Sequence, residues 1–330
     1  FRNVTGEVFK HSSLSSMGSD ISDINNDGKL DLFVSEMQPF YKKRKKLFQR
    51  ETSYTKEQIT KKFNYQYQYF RNVLQLNVGF NKDNKLPVFS EIGMLSGVNQ
   101  TDWSWSSLFG DFDNDGWNDL FIANGFPKDI LDKDFSDFRN DKGRFMSNKA
   151  LLKFIPEIKT QNFIFKNNKD LTFKDVSESW GMDYPSHSNG AAYGDLDNDG
   201  DLDLIINNIN DEASILENIS NEKFPKNNFV RIKLMSSDSI KSIYGTTATI
   251  YYNNLKQKQI LISQRGYLSK SEDVFHFGIG HSKYIDSLEI VWPKGKNQMF
   301  YNIGINKVNY LKYDKSFKKI IPHSSNFKMF

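Results

Sequence analysis

The feature that most constrains this chain is an acidic motif that occurs three times. The motif reads Asp-x-Asp/Asn-x-Asp-Gly-x-x-Asp, and a short apolar run follows each copy. The copies are loop 1 (residues 23–31), loop 2 (residues 111–119) and loop 3 (residues 195–203), and a Phe that opens a strand-like segment lies 22 residues before each. A motif repeated at intervals of 88 and 84 residues indicates a repeat architecture, in which each unit is one supersecondary element.

The spacing of the acidic residues predicts one metal site in each loop. Calcium takes six to eight oxygen ligands, and oxygens at alternating positions of a tight loop can converge on one point. Positions 1, 3, 5 and 9 supply side-chain oxygens, position 7 supplies a backbone carbonyl, and Gly at position 6 permits the sharp turn. We therefore expect about three Ca²⁺ ions. The predicted ligands are Asp23, Asn25, Asp27, Lys29 and Asp31 in loop 1; Asp111, Asp113, Asp115, Trp117 and Asp119 in loop 2; and Asp195, Asp197, Asp199, Asp201 and Asp203 in loop 3.

Two other interpretations of the loops agree less well with the sequence. An EF-hand needs a Glu at position 12 and a helix on each side, whereas position 12 here is Val34, Ile122 or Ile206 within a β-like run. Magnesium prefers octahedral sites that keep several waters. A solvated acidic turn could explain one motif but not three copies with matching flanks. The loops are therefore predicted to bind calcium between strands of a sheet.

The distribution of the repeats predicts an all-β fold. Residues 1–220 are expected to form a partial β-propeller of three blades, each built from strands around one acidic loop. Because a propeller closes with about four to eight blades, we expect further blades upstream in the same parent protein. Residues 229–312 are predicted to form a small β-rich domain, and residues 313–330 a tail. Since residues 229–312 lack the acidic motif, we expect them to fold alone, with a stability that calcium does not change.

Composition excludes several classes of function. The chain has no Cys, which excludes disulfides, thiolate metal sites and a Cys nucleophile. Its 44 basic and 40 acidic residues give a formal charge of +4, too balanced for a nucleic-acid-binding protein. No apolar run approaches the roughly 18 residues of a membrane span. The P-loop, Gly-x-Ser-x-Gly and His-Glu-x-x-His motifs are absent from the sequence as well.

Several short motifs carry a resemblance to known families. Phe109-Gly-Asp111 and Tyr193-Gly-Asp195 resemble the FG-GAP/VCBS repeats of calcium-loop propellers. Arg265-Gly-Tyr-Leu-Ser269, His276-Phe-Gly-Ile-Gly280 and Val291-Trp-Pro-Lys-Gly295 resemble the ASPIC/UnbV domain. The two elements in this order are similar to the cartilage-acidic-protein-like family of bacterial surface proteins. The resemblance implies a calcium-bound β-propeller and an extracellular or cell-envelope location, and it implies no known catalytic activity.

These observations favour a binding or adhesion module rather than an enzyme. The expected partner is a glycan or a protein outside the cell, presented with the loops of the blades. One alternative is a calcium-dependent glycan-active lyase or hydrolase, which would need a further pair of carboxylates converging on the propeller axis. The other alternative is a purely structural scaffold, which would lack a concave polar or aromatic pocket.

Overall fold

The computed structural model describes residues 1–48, 53–236 and 241–314. Most of the predicted tail, residues 313–330, therefore lies outside the described residues. Helices make up 14% of the structure, which confirms the all-β prediction. In the described part of the chain, no helix has both the length and the apolar character needed to cross a bilayer.

The strands are short, and most pair antiparallel with a neighbour close in sequence. In chain order they are β1 (His11–Ser13), β2 (Ser19–Ser22), β3 (Asp31–Val34), β4 (Tyr67–Tyr69), β5 (Val73–Phe80), β6 (Pro87–Glu91), β7 (Ser104–Gly110), β8 (Asp119–Asn124), β9 (Thr160–Gln161), β10 (Phe163–Asn167), β11 (Phe173–Asp175), β12 (Pro185–Ser186), β13 (Ser188–Gly194), β14 (Asp203–Asn208), β15 (Ser214–Leu216), β16 (Asn228–Met235), β17 (Thr247–Tyr252), β18 (Leu255–Ile260), β19 (Phe275–Gly280), β20 (Ser287–Trp292), β21 (Lys296–Phe300) and β22 (Val308–Lys312).

The helices lie mainly in the long connections between the repeats. They are α1 (Thr5–Val8), α2 (Lys42–Leu47), α3 (Tyr54–Phe63), α4 (Lys133–Asp141), α5 (Asn148–Leu151) and α6 (Ser220–Lys223), with 3₁₀ turns at Gly143–Phe145, Leu152–Phe154 and Pro293–Gly295. Ser53 and Asp132 cap the two longest, because their side chains accept a hydrogen bond from the third backbone N–H of the helix that follows.

Each repeat unit forms one sheet, and each acidic loop joins its first two strands. Sheet 1 has the order β2-β3-β5-β6, sheet 2 the order β7-β8-β10-β11 and sheet 3 the order β13-β14-β15. The loops close equivalent hairpins, because Ser22 pairs with Asp31, Gly110 with Asp119 and Gly194 with Asp203. The prediction that the loops lie between strands of a sheet is therefore confirmed.

The central sheet of the repeats is buried on both faces. Side chains of β8 alternate in direction along the strand, as the pleat requires. Leu120 and Ile122 join the core shared with sheet 1, whereas Phe121 and Ala123 join the core shared with sheet 3. All four are fully buried. This two-sided burial is why the strand reads as a continuous apolar run in the sequence.

The C-terminal segment (residues 228–312) contributes two more sheets and a core of its own. Their orders are β19-β16-β22 and β18-β17-β20-β21. Val230, Ile250, Phe277 and Trp292 lie at the centre of this core. Most neighbouring strands pair antiparallel, but β16 and β22 are parallel.

Five sheets of three or four strands together form a β-propeller arrangement. The predicted count of three blades is therefore not confirmed, because the arrangement has five blades, and only three of the five sheets come from the repeats. The physical reason is that three sheets cannot surround an axis. The C-terminal segment packs against the first strands of the repeats, for example where Gly266 bridges Ser19 on β2.

Candidate metal centres

The three loops share one backbone conformation, which the sequence explains. In each loop the residues at positions 4 and 6 have positive φ, a region that Asn tolerates and Gly favours. These residues are Asn26 (56°), Gly28 (83°), Asn114 (56°), Gly116 (92°), Asn198 (65°) and Gly200 (95°). The carboxylate at position 1 of loops 1 and 2 accepts hydrogen bonds from backbone N–H groups at positions 5 and 6. The turn therefore faces its own acidic side chains.

Loop 2 brings three carboxylates together. One carboxylate oxygen each from Asp111, Asp113 and Asp115 lies within 4.8 Å of the others. Asp111 and Asp113 are 2% exposed, and Oδ1 of Asp113 is buried without a hydrogen-bond partner. Burial raises the pKa of Asp111, and the charges of Asp115 and Asp113 raise it further. A buried, unpartnered oxygen in such a cluster is the donor set that a hard cation takes.

A lysine from a distant strand contributes positive charge to loop 2. Nζ of Lys166, on β10, contacts Asp113 and lies 3.1 Å from Oδ2 of Asp115. Nζ of Lys169 lies 3.2 Å from the same oxygen. Neither lysine was predicted as part of the site, because each is about fifty residues from the loop in sequence.

Loop 3 forms a second cluster of carboxylates. Oxygens of Asp195, Asp197 and Asp203 lie within 4.8 Å of one another. Oδ2 of Asp195 pairs with Arg231 of β16, while Oδ1 is buried without a hydrogen-bond partner. The Asp201 side chain is turned to the next segment, where its Oδ2 accepts from the Ser220 hydroxyl at 3.1 Å and from the backbone N–H of Asn221 at 3.2 Å.

Loop 1 is the least acidic of the three loops. Asn25 occupies the position of Asp113 and Asp197, and the ammonium group of Lys29 lies 2.5 Å from Oδ2 of Asp27. Burial raises the pKa of Asp23 to about 6, and the charge of Asp27 raises it further. We therefore expect loop 1 to hold a cation more weakly than the other two loops.

The aspartates at position 9 also brace their loops. Both oxygens of each accept a backbone hydrogen bond, one from position 2 of the same loop and one from an Asn on or after the third strand of the sheet. The pairs are Asp31 with Asn77, Asp119 with Asn167, and Asp203 with Asn218. Position 7 donates its N–H to the carboxylate at position 5 in all three loops. The assignment of the position 7 carbonyls of Lys29, Trp117 and Asp201 as ligands stays a prediction.

Neighbouring loops are joined to one another in a row. The side-chain amide of Asn26 donates to the carbonyl of Gly116 at 2.9 Å, and that of Asn114 donates to the carbonyl of Gly200 at 3.1 Å. The shared Asn at position 4 is the sequence signal for this linkage. Binding at one loop can therefore influence the next.

The C-terminal segment covers the row of loops. His276 Nε2 lies 2.7 Å from Oδ1 of Asn114, and burial lowers the pKa of this histidine to about 3, which keeps it neutral. A Cβ on Gly278 would overlap the Asp111 carboxylate, and one on Gly200 would overlap the ring of Phe229. Lys256 lies beside Gly28 of loop 1. Loop 2 is thus enclosed between the repeats and the C-terminal segment.

The Arg265-Gly-Tyr-Leu-Ser269 motif fastens the C-terminal segment to the first strands of the repeats. Nε of Arg265 donates to Asp20 of β2 at 3.0 Å, and its guanidinium also contacts the hydroxyl of Tyr193 on β13. The Asp20 side chain is fully buried. Tyr267 packs against Trp105, with ring centroids 4.8 Å apart.

A β-propeller arrangement joined to such a segment is the architecture of a repeat-type binding module. Residues 236–317 match the family model described as ASPIC and UnbV. The chain is also similar to cartilage acidic protein 1 of Xenopus tropicalis, with 32% identity over 108 residues. That alignment covers 32% of this chain and 16% of the relative. The resemblance of the first 220 residues to FG-GAP/VCBS repeats is not shown by a family model.

Proposed function

We propose that this protein is a calcium-binding recognition module that acts outside the cell or in the cell envelope. The observation that carries the proposal is loop 2, where three carboxylates converge and Oδ1 of Asp113 is buried without a partner. A buried oxygen acceptor that nothing satisfies costs about 1–3 kcal/mol, and a cation held by the cluster would remove that cost.

In this proposal residues 1–220 are FG-GAP/VCBS-type repeats, and about three calcium ions bind, one in each loop. Asp111, Asp113 and Asp115 hold the ion at loop 2, and Asp195, Asp197 and Asp203 hold the ion at loop 3. A bound ion offsets the charge of the carboxylates and fixes the loops beneath the C-terminal segment. The expected affinity is that of extracellular modules, roughly 10⁻⁴–10⁻³ M, which agrees with a location outside the cell.

The partner in this proposal is a glycan or a protein, and further blades of the parent protein are expected upstream. A catalytic role is not favoured by the carboxylate nearest the repeat interface. Asp20 is fully buried and is bonded to Arg265 and to the backbone N–H of Phe109, so it is not free to act as a general acid or base.

Isothermal titration of the chelator-treated protein tests the proposal. We expect a stoichiometry near three for calcium, with loop 1 the weakest site. A stoichiometry of zero, or a preference for magnesium, would refute it. Terbium luminescence identifies loop 2 separately, since Trp117 lies within that loop and can sensitise a bound lanthanide.

A further inference from the structure

Loop 3 differs from the other two loops in what surrounds it. The position 4 amides of loops 1 and 2 are bonded to the following loop, but no repeat follows loop 3. Asn198, Asp197 and Asp199 are exposed, whereas Asp113, the counterpart of Asp197 in loop 2, is buried. An ion held by loop 3 is therefore open to solvent on one side.

A polar cleft lies on that open side. It has a volume of about 410 Å³ and lies between loop 3 and the start of the C-terminal segment. This volume is within the range of small-molecule sites. One wall carries Asp195, Asn198 and Asp199, and the opposite wall carries Asn221, Asn228 and Lys307. Amide side chains both donate and accept hydrogen bonds, as sugar hydroxyl groups do.

An unsatisfied oxygen is present in the same wall. Oδ1 of Asp195 is buried without a hydrogen-bond partner, and the side chain is 1% exposed. Arg231 engages the other oxygen of this carboxylate, so its guanidinium holds Asp195 in place at the cleft. The cleft thus has a fixed carboxylate that is ready to hold a cation.

The charge around the cleft selects the kind of ligand. Loop 3 contains five aspartates, and Arg231 and Lys307 are the cationic side chains among the residues that line the cleft. One divalent ion leaves the surroundings with more negative than positive charge. An anionic ligand would be repelled, whereas a neutral hydroxylated ligand would not.

We propose that loop 3 and this cleft form a calcium-dependent binding site for a neutral sugar. The inference rests on the proposed calcium binding. A pair of adjacent sugar hydroxyls contacts the ion held by Asp195 and Asp197, while the asparagine amides of the cleft hydrogen-bond to the remaining hydroxyls.

Saturation-transfer NMR with the methyl glycosides of mannose, galactose and fucose tests this site. We expect transfer to at least one sugar in calcium and none after EGTA. Asp197→Ala should abolish the transfer, because it removes an exposed loop 3 carboxylate without disturbing a core. The matched variant Asn25→Ala, at the same position of loop 1, should leave it unchanged.

Calcium titration of the same proteins separates the two proposals. If calcium fails to bind the wild-type protein, the proposed function itself is refuted. If calcium binds with the expected stoichiometry but no sugar shows transfer, or if Asp197→Ala retains transfer, the inference about loop 3 is overturned while calcium binding stands. Transfer to methyl glucuronide without transfer to any neutral sugar would overturn the argument from charge.

Discussion

Gly278 provides a direct test of whether the C-terminal segment shapes the metal centre in loop 2. A Cβ at this position would overlap Oδ2 of Asp111 and lie 2.6 Å from the backbone of Asn114. Neither neighbour is the flexible end of a long side chain. Gly278→Ala must therefore displace either the loop or strand β19, which carries Gly278.

The magnitude of the effect follows from the packing. Overpacking a well-packed site costs about 1–3 kcal/mol. An empty loop can relax by moving Asp111, whereas a bound cation needs that carboxylate in place, so most of the cost falls on the metal-bound state. A difference of 1–3 kcal/mol corresponds to roughly 5- to 150-fold in affinity.

Terbium luminescence sensitised by Trp117 measures the affinity of loop 2. We expect Gly278→Ala to weaken terbium binding by at least about fivefold and to reduce the increase in melting temperature that calcium produces. Gly194→Ala is the matched control, because its Cβ would meet the nearest atom, on Glu272, at an ordinary 3.7 Å. Wild-type terbium affinity in Gly278→Ala would refute the claim that the C-terminal segment encloses the site.

Three further predictions concern stability. Asp115→Ala or Asp199→Ala should remove the stabilisation that calcium gives at one loop, about 1.4 kcal/mol at tenfold excess over Kd; melting curves that still respond fully to calcium would contradict this. Arg265→Ala should cost about 3–5 kcal/mol by leaving Asp20 buried and unpaired, and adding Asp20→Asn should recover part of it in denaturant titrations. Residues 226–330 expressed alone should melt identically with calcium and with chelator, and a large shift would refute their independence.

The loops show how much of the site follows from local sequence. Asn and Gly at positions 4 and 6 set the backbone turn, and the aspartate spacing brings the oxygens of loops 2 and 3 together. The hairpin that each loop closes follows from the apolar run after the motif. These features depend on residues within about ten positions of one another, so periodicity and residue type were sufficient to predict them.

The cations in the loops could not be predicted in this way. Lys166 reaches Asp113 across 53 residues, and Arg231 reaches Asp195 across 36. The Arg265 motif was recognised, but its contact with Asp20 spans 245 residues. The five-sheet arrangement has the same origin, because nothing local shows that the C-terminal segment packs against the first strands of the repeats.

The sequence by itself determined the all-β class, the three acidic hairpins and the motifs of the C-terminal segment. Only the tertiary structure decided that loop 2 is enclosed by His276 and Gly278 while loop 3 opens on a cleft. The reason is physical: backbone conformation and ligand spacing are short-range properties of neighbouring residues. The burial, charge and exposure of a site depend on which distant surface packs against it, and three similar motifs can therefore become three different environments.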